Sequence, residues 1–451
     1  MRLAAVSFSQ EAFDAALERS VAAGASPRFV VALSGGLDST VVLHALVRSS
    51  VPEGVRAIHV DHGLHPDSRI WRDHCRGACE ALQVDFVDAR VDARSCRGES
   101  PEAAARDARY GRLRGETASG DTIVTGHHAD DQLETVLLQL IRGAGPAGLA
   151  GMPRLARFDR GWLCRPLLGF RRSDLETWAG EQGLAWLEDP SNRELGYDRN
   201  YLRHEVLPAV TRRWPAAALS AVRSAGHCAE AVELMADLAD SDLQAITRGR
   251  NLAVPPLAGM SDARRRNVLR RWLRGRGLAA PDASRMGAIL RDVIDARRDA
   301  GPEVRWGGGA VRRYGDHLFA LDARTLDMVD GRSADVDWLV AEPLVLEPGL
   351  GRLRVVHAAR GLPPEWLEDG RLEVRFRSGG EKIRPAGREG TRTVKKLMQE
   401  ARIPPWWRAH IPLIWKGKRL LCVADLWYAE DACWEGPGAW RVAWEDRPEF
   451  G

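Results

Sequence analysis

Arg28-Phe29-Val30-Val31-Ala32-Leu33-Ser34-Gly35-Gly36-Leu37-Asp38-Ser39-Thr40 reads as a buried strand, a glycine turn and the opening of a helix. The apolar run 28–33 is too short for a helix and suits a strand covered on both faces. Two consecutive glycines let the backbone turn tightly and present bare N–H groups, and a helix start adds partial positive charge. Such a turn attracts an anion. Ser34 and Ser39 offer hydroxyls to phosphate oxygens, with Gly35, Gly36 and Leu37 supplying backbone. Asp38 would repel a phosphate directly, and its sensible part is to hold Mg²⁺ against one. The turn is not a Walker loop, because no Gly-Lys-Ser/Thr follows. It is not the dinucleotide fingerprint either, because the third glycine is missing.

Outward from this turn, residues 55–60, 84–87 and 122–125 read as further buried strands. Helix-period stretches at 40–47, 68–82 and 101–116 lie between them. This alternation predicts an α/β fold with a doubly wound, mostly parallel sheet, whose ligands sit beyond the carboxyl ends of the strands. The second strand ends at His59-Val60-Asp61-His62, where backbone groups of Val60 are placed to hold an adenine base. After the fourth strand comes Gly126-His127-His128-Ala129-Asp130-Asp131-Gln132-Leu133-Glu134. Read as a helix, it puts His127 beside Asp131 and Asp130 beside Glu134. The acidic cluster suits Mg²⁺ binding, with Asp38 and Asp131 as ligands, or general-base work. A zinc site from His127 and His128, or a plain solvated helix cap, are the alternatives. Arg106 and Arg109 are three apart on one helix face and suit a phosphate or an AMP leaving group. Residues 142–149, rich in glycine, are long enough to close over a substrate or to be an ordinary turn.

Residues 214–298 are helical in pattern and rich in Ala, Leu and Arg, and strand-like segments return after Gly301. Proline–glycine punctuation near 346–351 and 361–364 marks a boundary. The expected division is 1–213 catalytic, 214–365 a helical RNA-contacting middle and 366–451 a small mixed α/β RNA-recognition block. With 451 residues and 45 % apolar content the chain has room for such cores. It shows neither an 18-residue apolar run nor a signal-peptide pattern, so a cytoplasmic location with no membrane contact is expected. Seven irregularly spaced cysteines include Cys75 and Cys79 on one helix, but no second pair completes a tetrahedral zinc set.

Net charge is only +3, which excludes a wholly basic nucleic-acid wrapper. The cations are lopsided: Lys382, Lys395, Lys396, Lys416 and Lys418 are the five lysines, all in one C-terminal stretch, and the other 60 cations are arginines. Residues 264–274 form an amphipathic basic helix with Arg266, Arg270 and Arg274 along one face, suited to RNA phosphate or simply to solvent. Lys382, Arg384, Arg388, Arg392, Lys395 and Lys396 interleave with Trp406 and Trp407, which read more naturally as core than as stacking platforms.

Ser34 to Ser39 resembles the SGGxDS loop of the N-type ATP pyrophosphatases, which split ATP between the α and β phosphates and transfer AMP. The ordered set goes further. The loop, His59 to Ser68, Glu102 to Tyr110, Gly126 to Thr135, Arg142 to Met152, Arg165-Pro166-Leu167-Leu168, Trp186 to Asn192, Arg199 to Arg203, Arg377 to Pro385, Lys395 to Glu400 and Ile403 to Trp406 together resemble the tRNA(Ile)-lysidine synthetases. The resemblance implies a Rossmann-like domain of the adenine nucleotide alpha hydrolase type, ATP and Mg²⁺ as cofactors, and free L-lysine and the CAU-anticodon isoleucine tRNA as partners. A homodimer is a further possibility. It also implies a catalytic set drawn from Asp38, Asp130, Asp131, His127 and Arg109. RNA contacts would come from Arg199, Arg203, Arg266, Arg270, Arg274, Lys382, Arg384, Lys395 and Lys396. The rivals are another enzyme of the same loop class, such as a tRNA thiolase or an amidotransferase-type synthetase, and an inactive tRNA-binding adaptor. Paired cysteines fit for a thiolase are not well placed, and the intact Ser34, Gly35, Gly36, Asp38 and Asp131 argue against the adaptor.

Overall fold

The computed structural model describes residues 7–20, 28–51, 53–61, 68–91, 101–189, 194–331, 333–448 and 450, with backbone alone for 101–105. Residues 62–67 and 190–192 lie outside them. The chain divides into two compact units, Met1–Leu234 and Met235–Gly451.

In the first unit the strands are β1 (Arg28–Ala32), β2 (Gly54–Asp61), β3 (Asp85–Arg90), β4 (Thr122–Val124), β5 (Leu155–Phe158) and β6 (Gly161–Cys164). The helices are α1 (Gln10–Glu18), α2 (Leu37–Arg48), α3 (Ser68–Ala81), α4 (Pro101–Gly115), α5 (Ala129–Ile141), α6 (Pro146–Leu149), α7 (Arg172–Glu181), α8 (Asp198–Tyr201) and α9 (Leu207–Arg213). The sheet order is β3-β2-β1-β4-β6-β5, parallel except for β5, as the sequence predicts for the first four strands. Period-2 alternation explains why helices cover both faces. Phe29 and Val31 join a core with Phe13, Leu43, Leu46 and Trp178, while Val30 joins Ile58, Leu113 and Ile123 on the opposite face. The β5–β6 hairpin escapes the sequence reading. Its strands are short, and its turn carries Asp159 at φ 50° where the usual signal would be a glycine. Strand order reverses between β1 and β4, the switch point at which open α/β sheets bind ligands.

Helix α10 (Ala217–Ile246) runs from the first unit into the second. The second unit carries α11 (Val254–Ala258), α12 (Asp262–Gly275) and α13 (Ala283–Ala288) around an antiparallel sheet of β7 (Thr247–Arg248), β8 (Asn251–Ala253), β9 (Glu303–Trp306), β10 (Gly309–Tyr314) and β11 (His317–Asp322). Val268, Leu269, Trp272 and Leu273 of α12 are buried in its core with Leu252, Val311 and Leu318, so the apolar face read from the sequence is the packed one. The C-terminal part is built on antiparallel strands and the helix Val394–Glu400, around Trp338, Leu353, Val374, Leu397, Ile414 and Val442. Its core reaches back to Val329, well before the sequence boundary near 366. Trp407 is 5 % exposed in this core, and Trp406 packs edge-on against Phe319 with ring centroids 5.2 Å apart, so both are packing residues. Among the described residues no helix is long and apolar enough to cross a membrane.

Candidate active site

The glycine turn is held open by its own hydroxyls. Ser39 Oγ donates to Gly36 O at 3.0 Å and accepts from Ser34 N at 3.2 Å, and Thr40 Oγ1 donates to Gly36 O at 3.0 Å. Gly35 sits at φ +84°, and a Cβ there would press on Cys75 Sγ at 3.1 Å, so both the conformation and the α3 packing demand glycine. Leu187 N donates to Gly35 O at 2.9 Å, which explains why a segment so distant in sequence belongs with the turn. Leu33 N donates to Ile58 O at 2.8 Å. Val60, two residues further along β2, therefore lies past the end of the β1 ladder, beside the turn.

Gly126, just after β4, brings α5 against the turn. A Cβ on it would meet Asp38 C at 2.8 Å and Asp38 O at 2.9 Å, which are backbone atoms that cannot swing aside. Gly126→Ala is therefore expected to destabilise the fold by about 1–3 kcal/mol through overpacking, read as a lower urea midpoint. An unchanged midpoint would show that the two backbones are not in contact.

His128 caps α5 and stands among three carboxylates. Its Nε2 is 3.6 Å from Asp38 Oδ1 and 3.4 Å from Asp131 Oδ2, and its Nδ1 is 3.5 Å from Asp130 Oδ2. Burial alone would discharge it, but Asp131, Asp130 and Asp38 outweigh burial and push its pKa up to about 9, so it is an imidazolium at neutral pH. Asp38 Oδ2 lies 3.3 Å from Arg172 Nη1, while its buried Oδ1 has no hydrogen-bond partner. Burial raises the Asp38 carboxyl despite His128 and Arg172. Asp130 Oδ2 accepts from Arg172 N, the first residue of α7, at 2.8 Å. Arg203 forks onto Glu134 at 2.7 and 3.0 Å and reaches Asp131 Oδ1 at 3.1 Å. His128, Asp130, Glu134, Arg172 and Arg203 line a cavity of about 270 Å³ with Leu207, Pro208 and Thr211.

Several expected residues converge here and others do not. Asp38, Asp130 and Asp131 meet around His128. His127 is not on the helix at all: α5 begins at Ala129, so the four-residue spacing to Asp131 has no helical meaning. His127 instead shares a hydrogen bond between its Nδ1 and Thr125 Oγ1 at 2.8 Å. Burial first, with Arg165, Arg109 and Arg106 assisting against Asp131, pushes its pKa down to about 3, so it is neutral. Arg109 lies on α4 with its guanidinium 5.7 Å from the Tyr110 ring centroid. Arg203, expected to meet RNA, is paired with carboxylates of the cluster; Arg199 Nη2 donates to Thr135 Oγ1 at 3.3 Å. Arg172 is the member that sequence reasoning misses, and Glu134 enters it only as part of the acidic helix face. The 142–149 stretch holds the short helix α6.

On α12, Arg264, Arg265 and Arg271 pair with Asp242, Asp295 and Asp240, whereas Arg270 and Arg274 are exposed and Arg266 is half-exposed, 3.9 Å from Asp262. In the C-terminal part Arg384 pairs with Glu430, and Arg388 and Arg392 share Glu400, while Lys382, Lys395 and Lys396 are exposed. Cys75 and Cys79 are buried thiols, pushed up to about 12 and about 11 chiefly by that burial. Among the described residues no group of three or more His, Cys, Asp or Glu is arranged to hold a metal alone.

Residues 9–210 match the PP-loop domain, residues 252–319 the TilS substrate binding domain and residues 372–444 the TilS substrate C-terminal domain. The chain is 43 % identical over 405 residues to a tRNA(Ile)-lysidine synthase of Alkalilimnicola ehrlichii, covering 89 % of this chain and 90 % of that protein. It is 39 % identical over 428 residues to a tRNA(Ile)-lysidine synthase of Escherichia coli O157:H7, covering 93 % and 97 %. Among solved structures, the U34-tRNA thiolase NcsA from Methanococcus maripaludis aligns at 17 % identity and a TM-score of 0.42, over 49 % of this chain and 78 % of that one.

Proposed function

From the premise that this chain belongs to the tRNA(Ile)-lysidine synthase family, we propose that it ligates free lysine to carbon 2 of the wobble cytidine of the AUA-reading isoleucine tRNA. ATP adenylylates the carbon-2 oxygen and pyrophosphate leaves; the ε-amine of lysine then attacks carbon 2 and displaces AMP. The product pairs with A in place of G. The single observation that carries this reading is the meeting of the glycine turn and the carboxylate cluster at the sheet's switch point, Asp38 being shared by both.

The residues divide the work as follows. The turn 34–39 and the start of α2 bind the polyphosphate through N–H groups and the Ser34 and Ser39 hydroxyls, and backbone at Val60 holds the adenine. Asp38 and Asp131 suit Mg²⁺: Asp38 Oδ1 is buried without a hydrogen-bond partner, and two carboxylates plus substrate phosphates make an ordinary ligand set for that ion. Bound there, the cation supplies Lewis-acid polarisation of the phosphates. His128, charged and central, keeps the carboxylates from repelling one another before substrates arrive. Arg109 offsets the charge of departing AMP, and neutral His127 donates or accepts a hydrogen bond beside it.

Lysine's ε-amine has a reference pKa of about 10.4, so deprotonation at pH 7 costs about 4–5 kcal/mol without help. Asp130 and Glu134 offer the ammonium carboxylates among the cations of the cavity, and Asp130 or Asp131 takes its proton. Arg199, Arg266, Arg270, Arg274, Lys382, Arg384, Lys395 and Lys396 meet RNA phosphate. Incubation with ATP, labelled lysine and total bacterial tRNA tests the whole. Label is expected to enter tRNA in a linkage that survives the mild base which removes aminoacyl esters. Label lost to mild base, or ATP left uncleaved, would reject the reading.

A further inference from the structure

Trp214 is 61 % exposed, an unusual position for a side chain with so much apolar area to bury. The local sequence sets this. Pro215 disfavours helical backbone in the residue before it, so α9 stops at Arg213 and Trp214 turns out at φ −130°, ψ 82°. Its N–H still donates to Val210 O at 2.8 Å, which pins the corner. The indole stands at the rim of an open cavity of about 580 Å³, floored by Leu133, Val210, Ala217 and Ala221. Arg213 lies with its guanidinium 5.9 Å from the indole centroid, and none of the described lining residues is a carboxylate.

This cavity and the carboxylate cavity adjoin the same two helices. Leu133 of α5 and Val210 of α9 line one; Glu134 of α5 and Leu207 and Thr211 of α9 line the other. The two cavities thus abut through consecutive residues of α5 and α9, close enough for neighbouring nucleotides of an unstacked strand to reach both.

We propose that the cavity beside Trp214 receives a nucleobase adjacent to the target cytidine, stacked on the indole, with Arg213 meeting the backbone phosphate. The inference rests on the reading of the substrate as a cytidine in a single-stranded loop. A base that enters the carboxylate cavity must leave its stack, and its neighbour loses a stacking face in the same movement. An exposed aromatic beside an apolar floor replaces that face, and a cation on the rim complements the strand's charge. The cavity has ample room for a base, and the lack of any carboxylate among its described lining residues suits a polyanion.

The test uses the full chain and an anticodon stem–loop bearing the target cytidine, either natural or abasic at the nucleotide immediately 5′ or 3′ of it. Trp214→Ala is expected to weaken binding of the natural loop about tenfold, with Trp214→Phe retaining most of the affinity and the KM for ATP unchanged. On a loop abasic at the contacted neighbour the Trp214→Ala effect should vanish. Wild-type affinity in Trp214→Ala, or the same loss on both abasic loops, would overturn the inference. So would a lowered unfolding midpoint with RNA affinity intact, which would assign the cavity to packing within the chain. Failure of the unsubstituted protein to bind the natural loop would instead reject the substrate reading, and the inference with it.

Discussion

Asp38→Ala is expected to cut pyrophosphate release, with RNA and lysine present, by about a thousandfold, the effect of removing a group that organises charge around the transferring phosphate. Lysine incorporation should fall in parallel, because both steps follow from adenylylation. RNA affinity should not change. Stability should hold or rise slightly, and the sign follows from the carboxyl itself. Its pKa is raised by burial, so the folded state disfavours the charged form at neutral pH, and deleting the group removes that penalty. His128 keeps Asp130 and Asp131, and Arg172 keeps Glu176 at 3.0 Å, so neither cation is stranded. Undiminished pyrophosphate release from a folded variant would remove Asp38 from the chemistry.

Arg203→Ala should act first on stability. The Glu134 side chain is 1 % exposed and Asp131 14 % exposed, and Arg203 is the cation forked between them. Breaking such a pair from one side leaves uncompensated buried charge, which costs about 3–5 kcal/mol, and the lower end applies because the guanidinium is a third exposed. The urea midpoint should fall accordingly. Adding Glu134→Gln to Arg203→Ala should recover part of the loss, since a neutral amide no longer demands a counter-ion. The double variant also separates two roles. If stability returns and RNA affinity is normal throughout, Arg203 serves the carboxylates; if stability returns but RNA binding stays weak, it also touches the strand.

The contrast between Asp38 and Arg203 shows what a sequence discloses. Gly35, Gly36 and Asp38 were legible because their meaning is local: a tight turn between a strand and a helix needs those residue types whatever surrounds it. The α/β alternation was legible for the same reason. The face shared by His127 and Asp131 was misjudged because a helix start was assumed two residues too early, before the cap at His128. Arg203 reads as a phosphate ligand because its partner Glu134 is 69 residues away, and Arg172 carries no local sign of its role because Asp38 is 134 residues away. A guanidinium carries no local mark of whether it will meet a carboxylate or a phosphate; only tertiary contact decides. Along α12 the same ambiguity resolves residue by residue, with Arg264 and Arg271 paired and Arg270 exposed.

The close approach of Gly126 to the Asp38 backbone has a consequence for biogenesis. The centre is stitched from segments far apart along the chain, the Asp38–Arg172 link alone spanning 134 residues. Contacts of that range form late, after loop closure has been overcome. A nascent polypeptide emerging from the ribosome therefore carries the glycine turn long before it carries the segments that close around it, Gly126, α7 and Leu187. Until α7 has been synthesised and docked, Asp38 and Asp130 wait without the Arg172 groups that pair with them in the finished protein.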